Sequence, residues 1–193
     1  MLNLELLRMA SLASGAILAL LITLNPVTTM AQSPLTETFS ENPDERWRYF
    51  ADTVMGGVSS GEVEFISGQE GSYARLTGNV STANNGGFIQ IRSQLEDTLP
   101  SEVTGVRLVV RGNGAPYYIH LRTAGMWLPW QYYQGEFETE AEWTEVRIPL
   151  ANFQPGGTFI SGIPRAERIR SIGIVAYGRD HQADVGVSEV GFY

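Results

Sequence analysis

The 193-residue chain has no cysteine, only two histidines and no lysine; all 13 of its basic residues are arginines. Each absence removes a class of chemistry. Without cysteine there is no disulfide framework, no thiol anchor for a lipid and nothing to complete a zinc site. His120 and His181 stand in no H-x-H or H-x-x-x-H spacing, so a histidine metal site is unsupported and both are expected in ordinary solvent or hydrogen-bonding roles. Arginine without lysine keeps bidentate pairing and stacking while giving up flexible ammonium groups. The formal charge of −8 repels a phosphate backbone, and no basic stripe is visible along the sequence, which argues against nucleic-acid binding.

What is present begins with an uninterrupted run of small and apolar residues, Ala10 to Leu24, followed by Asn25-Pro26 and then Thr29-Met30-Ala31. The run is short for a bilayer span and has the length of a signal-peptide core, with small residues suited to cleavage before Gln32. The expected organisation is a signal segment over 1–31, a flexible lead-in over 32–45 and one domain over 46–193. The expected location is therefore exported (periplasmic, lumenal or secreted), the alternative being a membrane anchor left uncleaved.

From Trp47 onward, short runs with period-two alternation are punctuated by Gly, Pro and Asn. Val106, Leu108 and Val110 alternate with Arg107, Val109 and Arg111; Tyr117, Ile119 and Leu121 alternate with Tyr118, His120 and Arg122; Val146, Ile148 and Leu150 alternate with Glu145, Arg147 and Pro149. That period marks half-buried antiparallel strands. Further strands are predicted at Gly61–Ile66, Tyr73–Val80, Gly87–Arg92, Gln131–Glu138, Ile172–Tyr177 and Val185–Tyr193, with His181 in a loop. Only Pro164 to Ile169 resembles a helical turn. The pattern predicts an all-β sandwich or jelly roll.

Several motifs carry chemistry in principle. Gly57-Val58-Ser59-Ser60-Gly61 matches G-x-S-x-G, but a nucleophile elbow needs a helix after its serine, and Glu62 to Ile66 reads as a strand. Glu136, Glu138, Glu140 and Glu142 recur at i, i+2 and share one face of an extended chain, which suits a solvated edge that discourages aggregation. No Asp-rich loop of calcium-binding spacing exists. The double glycines Gly56-Gly57 and Gly86-Gly87 admit two readings, plain tight turns or a loop surface for a partner. Trp127, Trp130, Tyr132 and Tyr133 cluster just after the outward set Tyr118, His120 and Arg122. Either they pack the core, with one of Tyr132 and Tyr133 inward, or they form a surface for a sugar, peptide or protein.

The run Asp52-Thr53-Val54-Met55-Gly56-Gly57-Val58-Ser59 resembles the signature of the complex I intermediate-associated protein 30 family. Supporting it in order are Asn84-Asn85-Gly86-Gly87-Phe88, Arg111-Gly112-Asn113-Gly114 with Tyr117, Trp130-Gln131-Tyr132-Tyr133, Phe137-Glu138-Thr139, Trp143-Thr144-Glu145-Val146 and Pro149-Leu150. The resemblance covers Trp47 to Tyr193. It implies a galactose-binding-like jelly roll and a non-enzymatic role, since mitochondrial members are assembly factors for respiratory complex I and related jelly rolls include carbohydrate-binding modules. Asn113 stands where the family often has Asp, and an exported protein departs from the mitochondrial setting.

The resulting expectation is a non-catalytic, monomeric assembly or scaffolding factor with no cofactor and no metal, docking on a protein or membrane complex through Asp52, Thr53, Met55, Gly56, Gly57, Ser59, Asn84, Asn85, Gly86 and Gly87. The alternative is a carbohydrate-binding module recognising a cell-envelope or extracellular glycan through Tyr118, His120, Arg122, Trp127, Trp130 and Tyr132.

Overall fold

The computed structural model describes residues 35–69 and 71–193; the expected signal segment lies outside them. Among the described residues twelve strands follow one another: β1 (Thr36–Glu37), β2 (Trp47–Ala51), β3 (Ser60–Gly68), β4 (Gly71–Val80), β5 (Phe88–Gln94), β6 (Gly105–Gly112), β7 (Tyr117–Thr123), β8 (Tyr132–Phe137), β9 (Thr144–Pro149), β10 (Gln154–Gly156), β11 (Ile169–Tyr177) and β12 (His181–Phe192). They form two antiparallel sheets, as the alternation predicts. Sheet 1 has the order β3-β4-β12-β6-β9, with β1 added against β12, and sheet 2 the order β10-β8-β7-β11-β5-β2. The result is a jelly-roll sandwich.

One core lies between the sheets. Val106, Leu108 and Val110 from sheet 1 meet Ile89, Ile91, Ile119, Leu121 and Ile174 from sheet 2, all with almost no exposure. Each such side chain stabilises the fold by about 1.5–3 kcal/mol relative to exposure. Tyr133 points into this core and Tyr132 away from it.

Three elements differ from the sequence reading. The segment expected as a flexible lead-in is docked from Leu35 onward: Thr36 and Glu37 pair with Gly191 and Val190, and Phe39 is buried against Trp47 at 5.3 Å between ring centroids. A two-residue strand shows no periodicity, so nothing in the sequence marks it. His181 opens β12 and pairs with Val80, because the polar Asp180–Gln182 stretch hides the strand's first turn of alternation. The helical turn narrows to a 3₁₀ turn at Ala166–Arg168, and Ile169 already belongs to β11.

The outward face of sheet 2 is built in registered rows. Across β8, β7, β11, β5 and β2 run Gln134, His120, Gly173, Arg92 and Arg48; beside them run Glu136, Tyr118, Val175, Gln90 and Phe50. On the other flank, Arg122, Ser171 and Gln94 line up across β7, β11 and β5.

Candidate functional site

The glycine loops close around one carboxylate. Asp52 opens a 3₁₀ turn after β2 and has no exposed surface. Its Oδ1 accepts the Ser59 amide at 2.9 Å; its Oδ2 accepts the Ser59 hydroxyl at 2.5 Å, the Gly87 amide at 2.5 Å and the Phe88 amide at 3.2 Å. Burial is the largest single influence on this group and opposes ionisation. The hydrogen bonds together outweigh it and hold the pKa below the ordinary aspartate value. A Cβ on Gly57 or Gly86 would collide with the Asp52 carboxyl, and Gly56 closes the turn at φ +90°. These glycines are therefore required by the clasp itself.

This geometry settles which residues a partner can touch. Asp52 and Ser59 are interior, Gly57 and Gly86 are half-buried against the carboxyl, and Gly87 is buried. Thr53, Met55, Gly56, Asn84 and Asn85 are exposed, as are Val54 and Val58, which the sequence reading did not select. Ser59 spends its hydroxyl on Asp52 and accepts the Ser81 amide at 3.0 Å, with no histidine in the set, so the G-x-S-x-G match is architectural.

On the outward face of sheet 2 an aromatic group assembles. The Tyr132 ring stacks on His120 at 3.9 Å and 8°, lies against Gly156 on its other side, and its hydroxyl donates to the Tyr177 hydroxyl at 3.2 Å. Tyr177 meets Tyr118 edge-on at 5.9 Å. Only the fold reveals Tyr177 as a member; in the sequence it is simply the end of a strand. His120 faces outward as predicted but is buried under Tyr132 rather than solvated, with Nε2 3.3 Å from Gln134 Oε1. Burial pushes its pKa down to about 3, and the weak bond to Gln134 opposes the shift only in part. It is a neutral ring throughout the physiological range. Burial and the bond with Tyr177 raise the Tyr132 phenol, so it too stays protonated.

The tryptophan loop between β7 and β8 is held from within. Arg122 donates to the carbonyls of Leu128, Pro129 and Met126 at 3.0, 2.9 and 3.2 Å. The buried Gln131 accepts the Trp127 and Leu128 amides at 3.2 and 3.1 Å and donates to Thr158 O at 3.4 Å. Trp127 is left 80% exposed and Trp130 49%. Of the residues expected to form one ligand surface, Tyr118, His120 and Tyr132 are brought together. Arg122 is the loop's internal brace, and Trp127 flanks the face. Trp130 turns to the β10 side, its carbonyl against Gly157.

Among the described residues there is no group of three or more His, Asp and Glu placed to hold a metal ion. No helix there is long and apolar enough to cross a membrane.

With this geometry in hand, residues 37–185 match the model of the family described as complex I intermediate-associated protein 30. The chain belongs to that family. No curated protein matches the sequence. Among solved structures, the chain is similar to a family 11 carbohydrate-binding module from Clostridium thermocellum in complex with a β-1,3-1,4-mixed-linked tetrasaccharide, with TM-score 0.61 and 15% identity over 76% of this chain and 88% of that one. It is also similar to the family 11 module of a cellulosomal cellulase of the same organism, with TM-score 0.61 and 14% identity over 76% and 86% of the two chains. An exo-β-agarase shares the fold at TM-score 0.53 and 9% identity, over 82% of this chain and 25% of that one. At these identities the likeness is one of fold.

Proposed function

We propose that this member of the complex I intermediate-associated protein 30 family is an exported, non-catalytic binding protein whose working surface is the outward face of sheet 2, and that its ligand is a cell-envelope or extracellular glycan. The observation carrying this reading is the pre-set cluster of Tyr118, His120, Tyr132 and Tyr177, with the Gln90 and Gln134 amides in the registered rows beside it. Rigid aromatic rings with amide and hydroxyl tips suit sugar rings, whose faces are apolar and whose edges are hydroxyls. Two similar folds that are carbohydrate-binding modules support the same reading. The test is titration of the protein with a panel of soluble oligosaccharides. Tyr132→Ala and Trp127→Ala are each expected to weaken binding by about 1–3 kcal/mol; unchanged affinity in both rejects this surface.

A second reading rests on a different observation. Val54, Met55 and Val58 are 74%, 50% and 51% exposed on the rigid clasp, an apolar tip suited to a protein partner. The family's description points to such a role, an assembly factor on a membrane complex. Affinity capture with the wild type and with Val54→Asp/Met55→Asp decides it: a partner lost in the double variant supports docking at the tip, and a partner retained places docking elsewhere.

A further inference from the structure

The arginines of this chain divide into two populations. On sheet 1 and in the entry segment most meet carboxylates: Arg46 with Glu37 and Arg75 with Asp184 at 2.9 and 2.8 Å, Arg107 with Glu145 and Glu189, Arg147 with Glu145; Arg111 instead lies over the Tyr73 and Trp143 rings and donates to the Tyr73 hydroxyl. On sheet 2 the pattern stops. Arg92, Arg122 and Arg170 line one open depression of about 440 Å³ together with Gln94, Ser171 and Trp127, and no carboxylate lines it. These three arginines are 30 and 48 positions apart along the chain, so the basic stripe missing from the sequence is assembled by the fold.

The construction is specific. Arg92 on β5 and Arg122 on β7 flank β11, whose outward residues between them are the small Gly173 and Ser171. A register shift between Ile169 and Ser171 takes Arg170 out of the ladder and turns it to the same depression. Arg122 is committed to the loop carbonyls and contributes its positive field. Arg170 gives only Nη1, to Glu167 O and Ile169 O. Arg92 makes no hydrogen bond or ion pair among the described residues; its half-buried guanidinium lies 4.5 Å over the Phe50 ring, held in place by stacking alone. Burial depresses the pKa of both Arg92 and Arg122, and Arg92 adds repulsion to Arg122. Uncommitted donors and like charges gathered in an open depression, in a chain of charge −8, together describe a place completed by an anion. Trp127, 80% exposed at its rim, offers an indole face to whatever carries that anion.

We infer that this depression binds an oxyanion borne on a sugar ring, a carboxylate or sulfate group, so that the ligand is an acidic saccharide. The inference deepens the glycan reading and rests on it for the sugar, though not for the anion. It is tested by titrating the full-length protein with trigalacturonate, with a sulfated galacto-oligosaccharide, with uncharged galactotriose and with inorganic sulfate, following Trp fluorescence and heat. One acidic oligosaccharide is expected to bind at least tenfold more tightly than galactotriose, with affinity falling as salt rises; whichever it is identifies the oxyanion. Arg92→Gln and Arg170→Gln are each expected to lose tenfold or more in that affinity while melting as the wild type does. Equal binding of neutral and acidic sugars, untouched by either variant, overturns the anion site and leaves the glycan reading standing. Arginine-dependent binding of sulfate alone, with no oligosaccharide bound, keeps the anion site and removes the sugar. No binding of any probe overturns both.

Discussion

Two places in this protein gather hydrogen-bond donors, and they differ in one respect. Around Asp52, backbone amides and a hydroxyl converge on a carboxylate the chain supplies itself. In the depression of Arg92, Arg122 and Arg170, donors converge and the chain supplies no anion. The first arrangement is closed: its charge is neutralised by geometry, its surface is zero, and its purpose is to join the end of β2 to the starts of β3 and β5. The second is open, and its balance awaits another molecule. The most distinctive motif of the sequence thus hides its carboxylate and shows only its apolar tip, while the arginine depression is assembled from residues that carry no local signature.

The comparison breaks most visibly if the built-in anion is removed. Asp52→Ala leaves several buried donors without an acceptor and is expected to cost about 3–5 kcal/mol in denaturant unfolding. A loss below 1 kcal/mol would mean the loops hold without the carboxylate. Acid acts on the same bond more gently: because the folded pKa is depressed, the contribution of Asp52 is complete above the unfolded value of about 4 and disappears as pH falls through the lower folded value. The stability gap between wild type and Asp52→Asn should therefore narrow below about pH 4, which paired unfolding curves would register.

His120 provides the next largest effect. The unfolded histidine takes a proton near pH 6.5, and the folded one refuses it down to about 3. Its contribution is present above pH 6.5 and is lost as pH falls, by about 1.4 kcal/mol per unit across that window. His120→Gln should flatten this slope, and an unchanged slope between pH 6 and 4 would assign the acid sensitivity elsewhere.

The smaller predictions sharpen the contrast between the two kinds of arginine. Gln94→Glu gives the open depression an anion of its own and is expected to raise stability by about 0.5 kcal/mol at low salt, an advantage erased at 1 M salt. Asp184→Asn, at an exposed pair on sheet 1, is expected to cost only about 0.5 kcal/mol in the same assay. If the sheet 1 change proves much the larger in magnitude, the outer pairs matter more than their exposure implies.

Much of the fold is legible because burial imposes period two: β6, β7 and β9 can be read directly from alternating Val, Leu, Ile and Tyr. β1 and β10 are too short to alternate, and β12 begins in polar residues that look like a loop. At the candidate site, Tyr118, His120 and Tyr132 are legible as outward residues near one another in the chain. Tyr177 is not, because only the pairing of β11 with β7 brings it there. Burial of His120 is equally hidden, since it depends on which rotamer Tyr132 takes above it. Arg92, Arg122 and Arg170 escape any window along the sequence: their proximity depends on strand order and on a one-residue shift in β11.

The clasp around Asp52 has a consequence in time as well as in stability. Its donors come from Ser59, 7 residues away, and from Gly87 and Phe88, 35 and 36 residues away, so it closes only after a local turn and a distant strand start have met. The expectation is that this contact, which needs a distant strand start in place, closes after the folding barrier. Asp52→Asn should accordingly leave the refolding limb of a chevron nearly unmoved and steepen the rate of escape from the native state, making this carboxylate a latch on the lifetime of the folded molecule. A refolding rate slowed in proportion to the lost stability would show instead that the latch closes at the barrier itself.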